Sequence, residues 1–211
     1  IIYYARISGT ARNLLSPGFI GGFIIMDQKF SSKLTCTQLE ISNTNRRLWT
    51  EHVMWTRMFI ISTAFSLPDL SFVTQRLLQN PVDFAKEFQP LYGKQIAMQL
   101  KQLLTDHLLI AAKLVNAAKE NNAAEVERQR KIWFENAEQI SAFLASINPH
   151  WSECVWRKLL FDHLRMTEDE AVFILTGQYE KSIKEYDAVQ AEALEMADVM
   201  TCGIIRQFCI K

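Results

Sequence analysis

Of 211 residues only four are cysteine, seven glycine and five proline, and each scarcity excludes something. Cys36, Cys154, Cys202 and Cys209 form no CxxC pair, so the ligand spacing of a zinc ribbon or finger is missing. His150 stands one helical turn ahead of Cys154, a single pair that is too small for a zinc site. Unpaired thiols fit a reducing compartment, and a cytoplasmic location is expected. Neither sign of charge is in excess: lysine plus arginine and aspartate plus glutamate number 23 each. Net charge thus argues for no nucleic-acid partner and no anionic surface. No apolar run approaches the roughly 18–20 residues that span a bilayer. Homo-oligomerisation and a small-molecule partner stay open. Phosphate loops, dinucleotide fingerprints, GxSxG elbows and HExxH helices are absent, so no motif argues for an enzyme. Few turn residues and no sustained apolar/polar alternation leave an all-α chain.

What the chain does contain is one phrase written three times. Leu48-Trp49-Thr50-Glu51-His52-Val53, Leu103-Leu104-Thr105-Asp106-His107-Leu108 and Leu159-Leu160-Phe161-Asp162-His163-Leu164 follow one another at steps of 55 and 56 residues. Each is an apolar pair, a spacer, an acid, a histidine and an aliphatic residue. Leu48, His52, Trp55 and Phe59 fall on one face of a 3.6-residue helix, as do Leu103, His107, Ile110 and Leu114. Leu159, His163 and Met166 repeat the pattern up to Thr167. Each histidine is therefore expected on a buried stripe, with Arg57 on the opposite face, toward water or a partner.

A second match supports the first. Leu77-Leu78-Gln79-Asn80 and Trp133-Phe134-Glu135-Asn136 lie 56 residues apart, and Phe84/Ile140 and Phe88/Leu144 continue the correspondence. A third copy near Asp187-Ala188-Val189-Gln190 matches only with a gap. The expected architecture is an antiparallel helical bundle of about three helical-hairpin units, each about 56 residues long, six helices in all. Pro68 suits a first helical turn, and Asn148 an N-cap before Pro149. Asn122 with Glu125, and Thr167 with Glu170, read as capping boxes. Pro81, Gly93 and Gly177 are expected breaks. The bundle is expected over residues 44–211, entered at Ser42-Asn43-Thr44. Residues 1–43 differ in composition, with Gly18, Gly21 and Gly22 around a short apolar run, and read as an atypical, poorly packed extension.

Three readings follow for the histidines. Imidazole is a common transition-metal ligand, and bundle interiors are where facing helices converge ligands. His52, His107 and His163, with Asp83 as a carboxylate, would suit iron, manganese or zinc. Glu51, Asp106 and Asp162 could serve in place of Asp83, or orient an imidazole from behind. Residues four beyond the histidines are Thr56, Ala111 and Thr167, so the Glu-x-x-His pairing of di-metal bundles is missing. In the second reading Asn80 and Asn136 meet the histidines in a polar core layer that only fixes packing in a structural or interaction module. In the third, tryptophans and phenylalanines line a small-ligand pocket, although at helical spacing aromatic residues are more often core.

Leu48-Trp49-Thr50-Glu51-His52-Val53-Met54-Trp55-Thr56-Arg57, with Leu67-Pro68-Asp69-Leu70, Tyr92-Gly93, Ile147-Asn148-Pro149-His150-Trp151 and Met196-Ala197-Asp198-Val199-Met200, resembles a group of small, all-helical, largely uncharacterised bacterial proteins. The resemblance covers roughly residues 44–208 and implies the all-α fold without an activity. A more distant similarity, through the inward histidines, is to haemerythrin-like and ferritin-like bundles, and it implies a metal ion in the bundle interior.

Overall fold

The computed structural model describes residues 34–211, and residues 1–33 lie outside the described residues. Most of the expected extension 1–43 falls there. Its last part does not behave as an extension: helix α1 runs Cys36–Ala64 and already buries Ile41. The start is set by a capping box that the sequence reading passed over. The Thr35 hydroxyl accepts from the Gln38 backbone N–H, and the Gln38 side chain accepts from the Thr35 N–H.

Four further helices follow: α2, Leu70–Lys119; α3, Ala123–Ile147; α4, Glu153–Leu175; and α5, Tyr179–Gln207. No strand occurs among the described residues. Consecutive helices pack on one another and α5 returns to α1, which closes the chain into a helical bundle. No described helix is long and apolar enough to cross a membrane. The expected break at Pro81 does not interrupt α2, and a second proline inside that helix, Pro90, does not either. The true break is Gly93, at φ 82° and ψ 165°, a backbone region that side chains with a Cβ seldom enter. It divides α2 into two helical arms. Gly177, at φ 74°, ends the connection after α4.

The caps correct several expectations. Asn122 is the N-cap of α3 and accepts from the Glu125 N–H, as its spacing predicts. Asn148 instead ends α3: it is fully buried, its amide donates to the Tyr92 hydroxyl, and its oxygen accepts from the His150 N–H. Ser152 caps α4 in its place. Pro68 precedes the cap Asp69 rather than opening α2. Thr167 and Glu170 start no helix. Both are buried inside α4, where side-chain packing decides their place. Arg57, expected toward water or a partner, finds its partner within the chain. It pairs with the buried Glu170 carboxylate, donates to the Ser182 carbonyl at 3.2 Å, and lies 5.1 Å from the Tyr186 ring. Burial raises the Glu170 carboxyl above its ordinary range, and the Arg57 charge opposes that rise.

The main core gathers Leu48, Trp49, Phe84, Phe88, Leu144 and Trp156 with the small residues of α5. Trp49, Trp133, Trp151 and Trp156 are all core, as their helical spacing suggests. The four cysteines are exposed and unpaired. Between α5 and the α3–α4 turn, Trp151 packs closely on Gly203 and donates from Nε1 to the Val199 carbonyl at 3.1 Å. A Cβ at position 203 would lie 1.9 Å from that Nε1. Gly203→Ala should therefore cost about 1–3 kcal/mol through forced displacement of the indole. Urea unfolding reads this directly, and a variant as stable as the parent would contradict the packing described.

Candidate functional site

Each repeated histidine sits mid-helix, His52 on α1, His107 on the second arm of α2 and His163 on α4, and each is 3% exposed or less. The stripe that carries them is apolar, so folding the stripe inward takes the imidazoles with it. The three meet. Ring centroids lie 5.6 Å apart for His52–His163, 6.2 Å for His52–His107 and 6.4 Å for His107–His163. One ring nitrogen from each lies within 4.8 Å of the other two. Trp49 and Trp133 pack against His52 and His107, with centroids at 5.7 and 5.3 Å.

Every imidazole is held at Nδ1 by a side chain 28 or 29 residues further along. His52 pairs with Asn80 Oδ1 at 3.1 Å, His107 with Asn136 Oδ1 at 2.9 Å, and His163 with Glu192 Oε2 at 3.2 Å. The asparagine amides are themselves fixed: Asn80 Nδ2 donates to the Leu48 carbonyl at 2.9 Å and Asn136 Nδ2 to the Leu103 carbonyl at 3.2 Å. A carbonyl only accepts, so each amide nitrogen must face it and each amide oxygen must face the ring. Nδ1 then carries the hydrogen in His52 and His107, and Nε2 carries the lone pair. Glu192 departs from this pattern. A carboxylate has no hydrogen to give a backbone carbonyl, and its Oε1 is buried without a partner.

Burial is the first cause that holds His52 far below the usual histidine range, at about 3. The neighbouring His163 adds to it and the Asn80 hydrogen bond opposes it. Burial also holds His107 well below that range, helped by His52 and His163 and opposed by Asn136. Both rings are therefore neutral at physiological pH, the form in which imidazole is a ligand.

The expected carboxylate is elsewhere. Asp83 accepts from Gln79 and Lys86 along its own helix and does not join the three histidines. Glu51 pairs with Arg47 and Arg76, Asp106 accepts from Gln102, and Asp162 pairs with Lys158 and Arg165. In each case the acid precedes its histidine by one residue, about 100° round the helix, and so points away from the cluster. Trp55 lies under the Arg76 guanidinium and Phe84 is sealed in the core.

Glu192 is the site residue that the sequence reading missed. It lies the same 56 residues beyond Asn136 that Asn136 lies beyond Asn80, with Val189, Met196 and Met200 in the apolar places. No gap is needed. The exchange of amide for carboxylate hid the correspondence, and the step itself was the signal. No protein-family model, no curated protein and no solved structure matches the chain.

The depressed histidines make stability depend on pH. Below 6.5, the ordinary value, the unfolded chain takes up protons on positions 52 and 107 while the fold refuses them. Their contribution is complete above that pH and is lost as pH falls below it, down to about 3 for His52, by up to about 1.4 kcal/mol per unit for each ring. Urea unfolding between pH 7 and 5 should show this loss, and His107→Gln should remove about half of it. A variant with the parent's pH slope would contradict the assignment.

Proposed function

We propose that this chain is a metal-binding helical bundle that holds one divalent transition-metal ion, iron, manganese or zinc, through Nε2 of His52, His107 and His163. The observation that carries the reading is the set of three Nδ1 hydrogen bonds, which spend the outer nitrogen of each ring. A ligating imidazole ordinarily donates its other N–H to a carbonyl or carboxylate, which fixes the tautomer and makes the ligand nitrogen more basic. Asn80, Asn136 and Glu192 fill that role. Neutral imidazole is the ligand form, and Glu192, with Oε2 on His163 and Oε1 without a partner, is an acidic side chain beside the place where an ion would bring positive charge. Ligand bonds near 2.1 Å put tetrahedral ligand nitrogens about 3.4 Å apart, so the rings must draw together by up to about 1.4 Å from a 4.8 Å spread.

The same reading organises the fold as three antiparallel units of about 56 residues. Each is a histidine helix followed by a helix whose asparagine or glutamate reaches back to it. Gly93 supplies the break between the first unit's second helix and the second unit's first.

The alternative is a polar core layer in a structural or interaction module. The observation that favours it is that Asn80 and Asn136 satisfy their histidines and the adjacent backbone with no ligand at all.

Elemental analysis of the purified full chain, loaded with Zn²⁺ or Co²⁺ and dialysed, separates the two. The metal reading predicts about one ion per chain and almost none in His107→Ala. A thermal midpoint roughly 8–16 °C higher should appear at a metal concentration about a thousandfold above Kd. Sub-stoichiometric metal in both proteins would leave only the core layer.

A further inference from the structure

We infer that Glu192 makes this a redox site: acting through His163, it holds the ion in its trivalent state, which selects iron or manganese over zinc. The inference deepens the metal reading above and rests on it. Of the three partners at Nδ1, two are neutral amides and one is acidic. Asn80 and Asn136 each use both ends of the amide, the oxygen toward the ring and the nitrogen toward a backbone carbonyl. Glu192 has no such second tie. Its Oε2 lies 3.2 Å from His163 Nδ1, and its Oε1 is buried with no partner. An unbonded buried acceptor costs stability, so packing does not account for an acid at this position.

Other acids near the cluster are already paired with cations. Glu170, two turns beyond His163 on α4, is held by Arg57. Glu51 is held by Arg47 and Arg76, and Asp162 by Lys158 and Arg165. Glu192 meets no lysine or arginine among the described residues, and the one basic side chain it touches is His163. With an ion on Nε2, His163 keeps its hydrogen on Nδ1 and donates it to the carboxylate. An anionic acceptor draws that hydrogen more strongly than an amide oxygen does. His163 is then a more electron-rich ligand than His52 or His107. Such a ligand stabilises the higher metal charge more than the lower, and hydrogen bonding behind a ligand is one lever by which a protein sets a reduction potential. The rings are 3% exposed or less and the Glu192 side chain 10%, so water screens the carboxylate little. Zinc has no redox chemistry on which this could act. The reaction served is M²⁺ to M³⁺, one electron passing to a small external one-electron acceptor, with no bond of the protein made or broken. Glu192 is thus a positioning residue.

The test is a redox titration of the iron-loaded full chain, with the ferric fraction read by electron paramagnetic resonance. Glu192→Gln keeps the shape and an acceptor oxygen and removes the charge. It should raise the midpoint potential by about 59 mV or more, a tenfold or greater loss of preference for Fe³⁺ over Fe²⁺. A glutamate that served packing alone would weaken both ions alike and leave the midpoint where it stands in the parent. A smaller rise, no change or a fall would overturn the inference and leave the metal reading intact. Should Glu192→Gln not fold or not hold iron, Glu192→Asn, which copies the other two places, reads the same contrast. If that variant fails as well, the unaltered chain decides. Loaded with Fe²⁺ and left in air, with dioxygen as the oxidant, it should come to hold Fe³⁺, and iron that stays ferrous overturns the inference. A chain that takes up no iron would overturn both readings.

Discussion

The hydrogen bond from each imidazole Nδ1 to a side chain on the following helix is the constraint on which the rest of this structure depends. An apolar bundle face can slide by a turn at modest cost, because one aliphatic contact resembles another. A buried imidazole cannot, since a lost partner leaves two polar groups without water. His52–Asn80, His107–Asn136 and His163–Glu192 thus set the register of three helix pairs at once, at a single level of the core. The asparagines extend the constraint to the backbone through Leu48 and Leu103, so ring, amide and helix move together. Coupling of this kind is what gives a buried polar layer its specificity.

The departure at the third place is what turns a packing device into a candidate site. Asparagine at position 192 would complete a neutral, fully satisfied layer. Glutamate places a carboxylate against His163 with one oxygen unbonded, inside a cluster whose burial disfavours protons on His52 and His107. In the proposed metal reading a cation on the three histidines would sit beside that carboxylate.

Much of this was legible in the residues. Scarce glycine and the 3.6-residue stripes gave the helices, and the recurrence of His52, His107 and His163 on one stripe placed all three in the interior. Asn80 and Asn136 were readable as their partners. Other features were hidden for physical reasons. The exchange of asparagine for glutamate broke the pattern at position 192, although spacing preserved it. Asp83 looked like a ligand because it is acidic and near Asn80 in sequence, but Gln79 and Lys86 are its local partners on the helix surface. Thr167 looked like a cap because threonine often is one. In α4 a continuous buried stripe overrides that preference and carries the helix through. Arg57 was expected toward water or a partner, and which partner could not be read because Glu170 lies more than a hundred residues away.

The central claim is that the three rings present one kind of nitrogen outward and the other inward. Two-bond proton–nitrogen correlation spectra of the histidine side chains test it without reference to any activity, with exposed His150 as an internal standard. The account predicts neutral rings with the hydrogen on Nδ1 for His52 and His107 at neutral pH. It also predicts that Zn²⁺ moves the Nε2 resonances of His52, His107 and His163 together while His150 stays in place. Hydrogen on Nε2, charged rings at positions 52 and 107, or a response to zinc at His150 alone would contradict it.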